Sequence, residues 1–486
     1  MKKLLLCTAM LCLVSCDSKT DSNETSENNP VLNELKTPAT NQAYDTIIPK
    51  LRGELPPDVT GLISSATPTE NRPFFDYFSW QSFIALNWPA SLDDRGVPIN
   101  PTSPDAFRSV NRTGEDSSLI VWNTYREGFE LMPPDGSTPP SWNGNEPSYS
   151  PAGKNTDGKL VFAMSTKGGL LDEINEAFGG PLIDQKRNYV RYDVRINQIE
   201  YDQIRDNKWY DQGVLLAAID AAAEKSKSDG ISEGVQFLNN SIELKGAWRV
   251  LTDSDDISRY YAVRALVETE DGSYAEETMG LVGLHIMQKT ETFPQWVWST
   301  FEHVDNLDGT HPSFNNGTDT PSTGSLGYNC EPQVLGEDGF PAQDDPRRDP
   351  IQVSRVTEIP TTPSGFSTAE LNAKYKSLLA GTVWENYELI GTQWPTDPDL
   401  KSPYDPEFEP KTYYTGTLAG DPFPDKLANI TMETYFQTNS CMQCHYHAAA
   451  YGVDYSWIVA NRVLKDYTNE PSKTPGPHQC QTSNSN

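Results

Sequence analysis

Basic residues and histidines are scarce in this chain. Lysine and arginine number 38 against 68 aspartates and glutamates, for a net charge of -30 over 486 residues, with 6 histidines. A surface this acidic repels nucleic acid and anionic lipid headgroups, so no nucleic-acid partner is expected and a protein partner should be basic. Long apolar runs are missing too. The most apolar stretch, Leu4 to Val14, is too short to span a bilayer as a mature helix. There is no repeat of solenoid period, no phosphate-binding glycine loop and no G-x-S-x-G elbow, which removes the commonest nucleotide-binding and hydrolase signatures.

What the N-terminus does contain is a basic start, Met1-Lys2-Lys3, then the apolar run, then Leu13-Val14-Ser15-Cys16. This is the build of a secretory signal ending in a lipobox. It resembles a bacterial lipoprotein signal, which implies cleavage before Cys16 and lipidation of that cysteine. Asp17 to about Gln42 is polar and poor in apolar residues, so it cannot bury enough surface to offset its ordering entropy and reads as a tether. The expected location is the cell envelope, lipid-anchored, periplasmic or surface-exposed, with the outer membrane favoured over the inner.

Cysteine is sparse, and its placement is informative. Of 7 cysteines, Cys7 and Cys12 fall in the signal and Cys16 at the lipobox. Cys330 and Cys480 form an even remainder in an oxidising compartment, a candidate disulfide that sequence alone does not establish. The remaining two lie in Ser440-Cys441-Met442-Gln443-Cys444-His445, a C-x-x-C-H motif. This is the attachment signature of c-type haem. Two thiols one helical turn apart are spaced for two thioether bonds to a single haem, and the adjacent histidine supplies an axial imidazole. Two other readings fit the residues. One is a redox dithiol, although no βαβ setting surrounds it. The other is a zinc site drawn from Cys441, Cys444, His445 or His447, His478 and Cys480.

No methionine follows His445, so the methionine ligand usual in compact c-type domains is missing downstream. A sixth iron ligand would come from elsewhere. His303, ending the run Trp296 to His303 at a strand end, is the first candidate for distal ligand or distal base. His285 is the second, with Met432 and Met442 behind them. His447 points to another side of the helix, and His478 lies in a Pro-Gly-Pro loop.

Alternation of apolar and polar residues predicts strands at Val190–Ile196, Ile242–Val250, Tyr261–Val267, Leu281–Met287 and Trp296–Phe301, joined by short links that favour an antiparallel sheet. Helices are predicted at Phe74–Asn87 and Gln212–Lys225. Another should follow the Ser367/Glu370 capping box, with a short one after Asn429 and one from Cys441 to about Tyr451 capped by Ser440. The long Gly-, Pro- and Asp-rich stretch from Asp305 to Gly365 reads as loop. The fold class expected is α+β: a large antiparallel β-rich domain with interspersed helices and a C-terminal helical haem-attachment segment. The organisation expected is a signal at 1–15, a tether at 16–42, a β-rich domain at 43–365 and a helical haem-binding region at 366–486.

The Trp296 to Asn306 and Asn439 to His445 runs resemble large monohaem cytochrome c family proteins. The resemblance implies one covalent haem c and no particular reaction. Three functions follow as expectations. The first is single-electron transfer to a redox partner protein outside the cytoplasm. The second is a peroxidase- or oxidase-like haem enzyme with an exchangeable sixth position, using Glu302 and His303 as acid–base groups. The third is a haem-containing ligand-binding or sensor module.

Overall fold

Buried apolar residues come from strands, helices and the segments between them. The computed structural model describes residues 47–91, 93–110, 119–133, 136–144, 150, 152, 160–162, 180–226, 233–317, 342–399, 421–438 and 440–463. The signal, the tether, Cys16, Cys330, His478 and Cys480 lie outside the described residues. The strands are β1 (Arg126–Glu127), β2 (Leu160–Phe162), β3 (Arg191–Ile196), β4 (Ile242–Val250), β5 (Ala262–Glu268), β6 (Tyr274–Gln288), β7 (Val297–His303), β8 (Tyr387–Pro395) and β9 (Pro422–Phe423). The helices are α1 (Pro68–Leu86), α2 (Pro104–Arg108), α3 (Gly128–Leu131), α4 (Gln198–Asp206), α5 (Gln212–Ser226), α6 (Thr368–Leu378), α7 (Cys441–Ala450) and α8 (Trp457–Val463). The fold is α+β, built on one large, mainly antiparallel sheet.

The sheet runs β1-β3-β4-β6-β7-β8-β9. On the edge of β6 opposite β4, β5 pairs with its first half (Ala262 opposite Gly280) and β7 with its second half (Gly283 opposite Glu302), so the sheet forks there. β2 joins β5 in the only parallel ladder among the described residues.

Side chains alternate between faces along β7, and the two faces carry different cargo. On one face, Ser299 and Phe301 meet α1. This helix starts at Pro68 behind a Thr67/Glu70 capping box and is buried from Phe74 to Leu86 except at Tyr77. Ser79 Oγ lies 2.7 Å from both Ser299 Oγ and Thr392 Oγ1, and Trp80 packs edge-on to Phe301 at 5.0 Å. Trp80 is fully buried and also stacks on Tyr375 of α6, which ties the two helices together. Burying one such side chain contributes roughly 2–3 kcal/mol.

On the other face, Trp298, Thr300 and Glu302 meet the C-terminal segment. Asn429 Nδ2 donates to Thr300 Oγ1 at 2.8 Å, the Ile430 amide to Glu302 Oε1 at 2.8 Å, and the Met442 amide to Gln393 Oε1 of β8 at 2.9 Å.

Four expectations need adjustment. β6 begins at Tyr274, well before the apolar run at Leu281, because its first half pairs with β5 as a half-exposed ribbon. β8 carries no alternation and was not foreseen. It lies beside β7 in the same sheet, so the sheet crosses the expected boundary at 365/366, and all described residues fall in one compact unit, Ala39–Asn486. After Asn429 the chain makes turns in place of a helix: the Met432 and Glu433 amides donate to the Asn429 carbonyl and go no further. No described helix is long and apolar enough to cross a membrane.

Candidate functional site around Cys441, Cys444 and His445

α7 forms because Ser440 caps it, accepting from the Gln443 amide at 3.1 Å, and because it ends in the run Ala448 to Ala450. Met442 and Tyr446 point into the core, while Cys441, Cys444 and His445 are half-buried on the remaining side. The two cysteines are unpaired and one turn apart.

The helix stops at Tyr451, with Gly452 at φ 85. Gly452 also lies so close to Gly234 that a side chain on Gly234 would overlap its carbonyl. Two further residues in the left-handed region follow, Asp454 (φ 50) and Tyr455 (φ 67). The effect of this turn is to bring the Tyr455 carbonyl 2.7 Å from His445 Nδ1. A carbonyl only accepts, so Nδ1 carries the proton and Nε2 keeps its lone pair. Burial lowers the imidazole's pKa to about 4, which keeps it neutral at physiological pH.

Around the motif, Trp298 packs on the His445 ring at 4.6 Å and Trp457 lies at 6.5 Å. Lys245, His285 and Thr300 stand in one cross-strand row on the same sheet face. His285 Nε2 lies 2.9 Å from Glu433 Oε1. Burial pushes the Glu433 carboxyl up, but His285 and the Asn429 amide outweigh it and hold it below the usual range. Burial, reinforced by Glu433, raises both thiols, that of Cys444 to about 12. A reactive dithiol needs a lowered thiol pKa, and burial here acts in the opposite direction. Among the described residues no three His, Cys, Asp or Glu side chains converge as a metal-ligand set, and His478 and Cys480 of the zinc reading lie outside the described residues.

The residues fit a c-type haem by their donor chemistry: two neutral thiols one turn apart, and an imidazole whose far nitrogen is fixed as acceptor by a backbone partner. Orienting a metal-ligating histidine through its second nitrogen is the usual arrangement at such centres.

The first candidate, His303, is not brought to His445. His303 ends β7, about 17 Å along the strand from Trp298 at ~3.3 Å per residue. Its Nε2 donates to the Arg259 carbonyl (3.0 Å), its Nδ1 accepts from the Asp305 amide (3.1 Å), and its ring stacks on Tyr260 at 4.0 Å. Both nitrogens are occupied, so His303 offers no lone pair to a metal. Glu302 is held by Arg355 through both oxygens and by the Ile430 amide, so it is equally committed. Met432 and Met442 are buried in the core, and His447 is buried too. His285 stands on the sheet face beside the motif, but its Nε2 is engaged with Glu433 Oε1. In sequence the run Asp454 to Val459 reads as aromatic and aliphatic cover for a haem edge, and nothing there marks Lys289, the Asp454 side chain or the Tyr455 carbonyl as supports of His445. An aspartate two residues after a glycine at a helix end is the one weak signal for the left-handed turn.

Comparison with protein-family models, with curated proteins and with solved structures finds no match to this chain.

Proposed function

We propose that this chain is a lipid-anchored c-type haem protein that passes single electrons outside the cytoplasm. The observation that carries the reading is the His445 Nδ1 to Tyr455 carbonyl bond beside two unpaired cysteines, Cys441 and Cys444. Those cysteines would hold the haem covalently, and His445 Nε2 would be the axial ligand. When bound, the haem supplies a one-electron iron couple. Trp298 and Trp457 keep the imidazole flanked by aromatic surface and limit its rotation. A basic redox partner suits the acidic chain, and lipid at Cys16 would keep it at the envelope surface.

Electron transfer is favoured over the enzyme reading because Glu302 and His303, its acid–base pair, are fully committed to protein partners. Optical spectra of the protein, produced with haem maturation machinery, decide between them. Electron transfer predicts a low-spin spectrum in both redox states, unchanged by cyanide or carbon monoxide. A high-spin spectrum that shifts with peroxide would reverse the assignment.

A further inference from the structure

Asp454 and Tyr455 occupy the left-handed region one after the other (φ 50 and 67). Residues with side chains adopt that conformation in succession only where their surroundings impose it. Here the surroundings are identifiable. Lys289, one residue beyond the end of β6, places its Nζ 2.7 Å from Asp454 Oδ2 and 2.8 Å from the Pro294 carbonyl. The Phe237 amide donates to the same Asp454 oxygen at 2.7 Å. Trp296 Nε1 donates to the Asp454 carbonyl at 3.1 Å, and the Tyr455 hydroxyl to Gln295 Oε1 at 3.0 Å. Lys289 and Asp454 are both almost fully buried, with side-chain exposures of 4% and 2%. A buried ion pair is a weak source of net stability compared with well-packed apolar residues, so its presence calls for another role. What this pair fixes is the direction of one backbone carbonyl, that of Tyr455, toward His445.

We infer that Lys289 and Asp454 are positioning residues for His445: by locking the 454–455 turn they hold the Nδ1 hydrogen bond short and so set how strongly Nε2 donates. This rests on the haem reading above. A stronger Nδ1 bond makes the imidazole a better donor, which favours the oxidised iron and lowers the reduction potential.

The test uses the full haem-loaded chain with Lys289→Gln and Asp454→Asn; asparagine tolerates the left-handed region. Reduction potential is read by spectroelectrochemistry at fixed pH. Exchange of the His445 Nδ1 proton is read by NMR on the reduced protein. Positioning through the turn predicts that both variants move the potential upward and speed proton exchange by about tenfold, a loss of about 1.4 kcal/mol. A charge effect through space predicts opposite signs, down for Lys289→Gln and up for Asp454→Asn, and would overturn the inference, as would no change in either readout. If the single variants fold poorly, Lys289→Met/Asp454→Asn removes both charges together, and an unmoved potential there overturns it as well. Absence of covalent haem in the unmodified chain overturns the functional reading itself, an outcome distinct from haem present with unmoved potentials.

Discussion

Gly283 of β6 lies so close to Thr431 that a single methyl group on Gly283 would overlap the Thr431 hydroxyl oxygen. This contact seats the segment leading to the C-x-x-C-H helix on the sheet, alongside the Asn429 and Ile430 hydrogen bonds to β7. Gly283→Ala should force that segment outward at a cost of about 1–3 kcal/mol. Thermal and denaturant unfolding measure the loss. Stability equal to that of the parent chain would mean that the segment is not seated there.

His303 should prove structural. His303→Phe keeps the stack on Tyr260 but removes the bonds to the Arg259 carbonyl and the Asp305 amide, leaving the amide without this acceptor and the carbonyl with Asn386 Nδ2 as its remaining side-chain donor. A loss of about 1–3 kcal/mol is expected, with the optical spectrum of the haem unchanged. The pH dependence has a definite sign. Burial depresses the folded His303 pKa from 6.5 to about 4. Its contribution is therefore complete above pH 6.5 and is lost as pH falls toward 4, because only the unfolded chain takes up the proton in that window. Denaturant midpoints at pH 7 and 4.5 should differ less in the variant than in the parent chain.

Glu200 and Glu243 titrate in the opposite sense. Burial holds both carboxyls above the usual range, and each faces the other, with Asp454, Lys289 and Ser456 nearby. Below pH 4.5 both states are protonated. Above it the unfolded chain ionises while the folded pair keeps its proton, so this contribution to stability is lost as pH rises through the raised folded values. Glu243→Gln should flatten the fall in stability between pH 5 and pH 8. An unchanged slope would show that the pair does not carry it.

The strands at 191–196 and 242–250 were readable because one side of each meets a different environment and the residues alternate accordingly. β8 was not. Nearly every residue from Tyr387 to Pro395 is buried, and the buried polar ones, Thr392 and Gln393, interrupt the apolar run because they bond Asp76, Ser79 and the Met442 amide. At the site, Cys441, Cys444 and His445 were legible since their chemistry lies in one local spacing. His303 was misleading: its position at a strand end is plain in sequence, but the Arg259 carbonyl, far away in the chain, is not. Tyr455 was legible as aromatic cover, but its bond to His445 was not, because it is made by a backbone carbonyl and side-chain patterns do not encode where a carbonyl points.

The two thiols should be separable in their effects. Cys441→Ser or Cys444→Ser alone leaves one residue able to bond haem, and the double variant leaves none. Haem surviving acidified organic extraction should fall partly in each single variant and vanish in the double. Retention in the double variant would place the attachment elsewhere.

The most direct test of the central claim is mass spectrometry of the peptide that contains Cys441 to His445, taken from protein matured with haem-attachment machinery. The haem reading predicts the mass increment of one haem, with both thiols refractory to alkylation. Two free, alkylatable thiols on an unmodified peptide would contradict it.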